Sequence, residues 1–126
     1  MAVLDDHIAL SKTLHSDFET AHAAGEWPIV VDAGYYAVFH GMEAMSALEC
    51  RDSYSFADAA DILETALRSQ GLSERFVQDY RYLFYFRRGA LYGAHVPTQT
   101  QMKEFARRAK SCFAALQVIL DRGVSA

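Results

Sequence analysis

Apolar residues return every three or four positions along most of the chain, and little of it alternates in the manner of a strand. Val31, Tyr35, Val38, Met42 and Met45 step by 4, 3, 4 and 3, which lines one face of an α-helix. Phe76, Tyr80, Leu83, Arg87 and Ala90 repeat the same steps, with an arginine in an otherwise apolar stripe. Met102, Phe105, Ala109, Cys112, Leu116 and Ile119 step by 3, 4, 3, 4 and 3. The residues between these runs read as helix punctuation. A first helix over 3–24 stops at Gly25, and Pro28 sits in the first turn of the second, where its missing N–H costs nothing. A third helix begins after Ser55 and runs through Ile62, Leu63, Ala66 and Leu67 to Gly71. Ser73 is an N-cap for the fourth, which Gly93 and Pro97 close. Thr98 and Gln101 have the spacing of a capping box for the last. Short connections between long helices imply antiparallel neighbours. The fold predicted is therefore all-α, an up-and-down bundle of four or five helices in one domain spanning 1–126.

Composition narrows the class without naming an activity. In 126 residues, 52% hydrophobic and 22% charged, there is room for one core and not for two. No apolar run approaches the roughly twenty residues that span a bilayer, and the first residues lack a basic-then-apolar leader. The expectation is a cytoplasmic protein without membrane partners. Cys50 and Cys112 are far apart, lack metal-ligand spacing and read as buried thiols. No cofactor motif is present. Each long helix has a wide apolar face, so a spare face is expected to bury against a second copy in a homodimer.

Charge is split unevenly. Residues 1–80 hold four Lys/Arg against fourteen Asp/Glu, whereas residues 81–110 hold seven Lys/Arg against Glu104 alone. That distribution suits either a phosphate-bearing ligand or acidic helices facing basic ones within the protein. Arg87 lies on the core stripe, while Arg88 is turned about 100° away, toward the side of Arg81 and Tyr92. Two readings of Arg87 stay open: an ion pair with Asp32 or Glu43, or an oxyanion clamp built on its planar fork of donors. Asp32, Tyr36, His40 and Glu43 step by 4, 4 and 3, a polar stripe beside the apolar one. Of the aromatic residues nearby, one or two have the means to stack on bases. His15, Glu19 and His22 share a face of the first helix, but no second Glu-x-x-His exists to complete a bundle metal site. They read as a solvated face, and no metal is expected.

Two segments carry a family resemblance: Ala33-Gly34-Tyr35-Tyr36-Ala37-Val38-Phe39-His40 and Arg87-Arg88-Gly89-Ala90-Leu91-Tyr92-Gly93. Together they resemble the signature regions of HEPN-type helical domains, in particular a small prokaryotic branch with a "YYA-x-FH" helix and an "R-x-x-A-x-YG" helix. The resemblance spans residues 5–120. It implies a dimer, and in HEPN ribonucleases an R-x(4–6)-H motif that cuts RNA without metal. There a histidine moves the proton of the attacking 2′-OH and an arginine stabilises the charge that develops on phosphate. Carried onto this sequence, Arg87 and Arg88 would hold phosphate, His95 would move the proton, and Tyr92 would orient or stack. Six residues lie between Arg88 and His95, which satisfies the spacing. The chain departs from the commonest motif at Tyr92, which stands where the histidine would be. It departs from the histidine-free R-x-x-A-D-Y-G branch at Leu91. The resemblance further implies a nucleotidyltransferase partner in a toxin–antitoxin-like pair, acting on RNA or a nucleotide. In some relatives that partner adenylylates a tyrosine two places after the histidine. Pro97 occupies that place here, and Tyr92 is the nearest substitute.

Overall fold

A computed structural model describes residues 2–48, 71–93 and 96–125. Among them are four helices and no strand: α1 (Ala2–Ala24), α2 (Trp27–Leu48), α3 (Glu74–Tyr92) and α4 (Gln99–Ser125). The helix expected between Ser55 and Gly71 lies outside the described residues. The rest follows the sequence pattern closely, and the protein is an all-α helical bundle.

Local chemistry sets each boundary. Gly25, at φ 72°, ends α1 in the left-handed region that favours glycine. Its N–H donates to His22 O at 3.3 Å and that of Glu26 to Ala21 O at 3.0 Å, the paired bonds of a Schellman motif. Ser73 caps α3, its Oγ accepting from Phe76 N at 3.3 Å. Thr98 and Gln101 form the reciprocal box before α4. Gln101 N donates to Thr98 Oγ1 at 3.1 Å, and Thr98 N to Gln101 Oε1 at 2.8 Å.

The pairings fix the topology. Ser11 and Ala37, then Phe18 and Gly34, meet as α1 rises and α2 descends, so these helices are antiparallel. Asp32 with Arg87 and Tyr35 with Tyr80 set α3 antiparallel to α2. Phe86 with Phe105 and Asp79 with Arg108 set α4 antiparallel to α3. The core is one cluster in which Phe18, Val31, Tyr35, Val38, Leu83 and Phe105 are fully covered. Gly34 allows this packing: a Cβ there would lie 2.9 Å from Phe105 Cε1 and 3.1 Å from Phe18 Cδ2. The described residues contain no helix long and apolar enough to cross a membrane.

Candidate functional site

Arg87 leaves the core stripe of α3 one turn beyond Leu83, at the rim of the bundle, and its guanidinium reaches back to α2. Its Nε donates to Asp32 Oδ1 at 3.0 Å and its Nη2 to the Tyr36 hydroxyl at 3.1 Å. A longer contact of 3.5 Å runs from Nη2 to the Tyr92 hydroxyl. The cation lies 4.6 Å from the centre of the Tyr36 ring and 5.5 Å from that of Tyr92. Of the two acids expected as partners, the arginine takes Asp32, while Glu43 pairs with histidines. Burial by itself would lower the pKa of Arg87. The Asp32 hydrogen bond and the tyrosines outweigh it, and the net direction is upward. The ion pair is asymmetric: the Arg87 side chain is 14% exposed, that of Asp32 51%. Water therefore still reaches the carboxylate.

This pair borders an open cleft of about 500 Å³ between α1, α2 and α3, lined in part by Asp17, Ile29, Asp32, Arg87, Leu91 and Tyr92. With two carboxylates beside one guanidinium, the cleft is of mixed charge.

Arg88 faces outward. With Arg81, Tyr85 and Tyr92 it forms a stripe stepping by 4, 3 and 4 along the outer face of α3, and all four residues are exposed. Tyr85 is 66% and Tyr92 74% exposed, unusual for side chains so apolar. Neither Arg81 nor Arg88 makes an ion pair among the described residues. Other cations of the basic segment are neutralised internally. Glu104 receives Arg107 at 2.8 Å and Arg108 at 2.9 Å. Those bonds, Arg107's first, hold its carboxyl down at about 2. Arg108 also reaches the buried Asp79 at 3.3 Å.

No family model and no curated protein matches this chain. What the residues can do is therefore argued from their arrangement.

His95 lies outside the described residues, so the Arg88–His95 spacing acquires no geometry. The polar stripe of α2 divides between two neighbourhoods. Asp32 and Tyr36 hold Arg87; His40 and Glu43 turn to α1, where His7 meets them. Burial lowers the pKa of His40, and the nearby His7 lowers it further. Burial raises Glu43, with His7 opposing. His7 was not among the residues singled out in the sequence. A signal for it existed, since Ala21, Phe18, Leu14 and Ser11 form the inward stripe of α1 and a further step of four reaches His7. The remaining polar face of α1 does not converge: His15 and Glu19 pair at 3.5 Å in solvent, while His22 stacks on Phe18.

Proposed function

We propose that this chain is a HEPN-like helical module that binds single-stranded RNA or a nucleotide along α3, with Arg87 as the internal brace of that surface. The observation that carries this reading is the exposed ladder Arg81–Tyr85–Arg88–Tyr92. Alternating guanidinium and aromatic groups supply what a single strand requires, a cation for each phosphate and a flat face for each base. Its first and last members lie about 16 Å apart along the helix, enough for a few nucleotides. Arg87 serves differently in this reading. Its donors already engage Asp32, Tyr36 and Tyr92, so it fixes the end of α3 against α2 and orients Tyr92.

The HEPN resemblance extends the proposal to biology: one half of a prokaryotic toxin–antitoxin-like pair beside a nucleotidyltransferase, working as a homodimer. Cleavage belongs to the same proposal only if Arg88 and His95 act together. A second reading, a non-catalytic interaction module, is favoured by the Arg87–Asp32 pair, which has the form of a structural brace.

One experiment separates these readings. Fluorescence anisotropy of a labelled single-stranded RNA, with EDTA present, reads binding, and gel analysis of the same samples reads cleavage. Binding weakened by Arg88→Ala, and about fivefold or more by Tyr85→Ala, supports the ladder, since one base stacked on an aromatic ring contributes about 1–3 kcal/mol. Cleavage lost in both Arg88→Ala and His95→Ala would add the nuclease. Affinity unchanged in Arg88→Ala and Tyr85→Ala would remove the nucleic-acid reading and leave the interaction module.

A further inference from the structure

At the α1–α2 crossing, away from the arginine ladder, three metal-ligating side chains converge, His7 from 33 or more residues before the other two. His40 and Glu43 lie one turn apart on α2, with His40 Nδ1 3.0 Å from Glu43 Oε1. From α1, His7 brings Nδ1 to 3.4 Å from His40 Nδ1 and Nε2 to 3.6 Å from Glu43 Oε2. One donor atom from each residue can be chosen so that all three lie within 4.8 Å of one another.

We propose that His7, His40 and Glu43 bind a divalent first-row transition-metal ion, with Zn²⁺ as the type. Two imidazoles and a carboxylate form a donor set that zinc uses where a further position is left open to water or another ligand. Ligands about 2.0–2.1 Å from a tetrahedral zinc stand roughly 3.3 Å from one another, so the three donors, one from each residue and all within 4.8 Å of one another, would draw closer on binding an ion. Two further features favour an ion. The two Nδ1 atoms face each other, an arrangement that requires a shared proton or a cation between their lone pairs. Glu43 is 8% exposed, and its ion-pair partners among the described residues are these two histidines alone. A buried carboxylate so placed gains from a full positive charge.

The frame around the donors is firm. Ser11 Oγ donates to Ala37 O at 2.7 Å, tying α1 to α2 one turn from His7. Phe39 meets the His40 ring edge-on at 5.4 Å, and Tyr36 stacks on it at 6.2 Å. The side chains of His7 and His40 remain about a fifth exposed, which leaves an ion a way in. Bound there, a metal would clamp the start of α1 to the middle of α2.

The test uses the tag-free, metal-stripped full chain. Calorimetric titration with Zn²⁺ reads stoichiometry and affinity, and Co²⁺ in its place reads ligand field through visible absorption. One ion per chain is expected, with an absorption band typical of nitrogen and oxygen donors. His7→Ala should weaken binding by more than about 100-fold, beyond the 10–100-fold that outer-shell partners typically cost. Glu43→Gln, nearly isosteric, should do the same without opening a cavity, and circular dichroism confirms that each variant is folded. His15→Ala and His22→Ala should leave binding unchanged. Absence of a Zn²⁺ heat signal, or equal affinity in the wild type and folded Glu43→Gln, would overturn the assignment.

Discussion

The buried hydroxyl pair of Tyr35 and Tyr80 shows how one contact couples stability to pH. The two oxygens are 2.9 Å apart inside the core, with both rings almost wholly covered. Tyr35→Phe removes the hydroxyl that pairs with Tyr80, so a loss of about 1–3 kcal/mol is expected. Adding Tyr80→Phe should recover most of it, because an apolar pair leaves no buried donor behind. Urea denaturation of the two single variants and the double variant reads this cycle. Burial also raises both phenols, Tyr80 to about 12 and Tyr35 further still. Between the ordinary value of 10.0 and about 12, the unfolded chain has released these protons and the folded chain has kept them. Stability from this source is therefore complete below pH 10 and is lost as pH rises through 12. The wild-type urea midpoint should fall across that window, and the double phenylalanine variant should fall less. An equal fall in both would remove the tyrosines as its cause.

At the scale of the helix, two glycines inside helices are expected to respond in opposite ways. Alanine for glycine in a helix interior gains roughly 0.5–1 kcal/mol from propensity alone. Gly89 of α3 is exposed and has open space where a Cβ would go, so Gly89→Ala should raise stability by about that amount. At Gly34 the Cβ would press into the Phe105 and Phe18 rings, both fully buried and unable to yield cheaply. Overpacking of about 1–3 kcal/mol outweighs the gain, so Gly34→Ala should lower the melting temperature. A rise at Gly34 would mean that the rings yield more easily than close packing allows. The difference between these glycines was not legible in the sequence, where both sit in helical stretches. Caps were legible because their chemistry is local: Gly25, Ser73 and the Thr98–Gln101 box act within five residues of themselves. Stripes were legible because burial follows the period of 3.6. What remained hidden is tertiary. His7 meets Glu43, and Asp79 is buried beneath Arg108, only because antiparallel packing sets them at the same height. The choice of Asp32 over Glu43 by Arg87 is of that kind too.

For the molecule as a whole, the question is how a chain of net charge −4 could hold a polyanion. The uneven distribution read from the sequence is partly cancelled in the fold, since Arg87, Arg107 and Arg108 are committed to Asp32, Glu104 and Asp79. What α3 presents outward is Arg81 and Arg88, spaced about 10 Å apart along the helix. The protein as a whole is acidic, so the attraction that α3 offers a strand rests on this ladder. Binding to single-stranded RNA should accordingly depend on salt weakly and countably. Each phosphate neutralised contributes about −0.7 to the slope of log affinity against log salt concentration. Two free arginines give a slope near −1.4, and Arg81→Ala or Arg88→Ala should each bring it to about −0.7. Engagement of Lys103 and Lys110 on α4, also exposed, would steepen it toward about −2.8 and carry the strand across two helices. Arg87→Gln should leave the slope unchanged, because the charge it removes is balanced by Asp32 before any ligand arrives. A slope that becomes shallower with Arg87→Gln and holds with Arg88→Ala would move the phosphate contact from the outer face of α3 into the cleft.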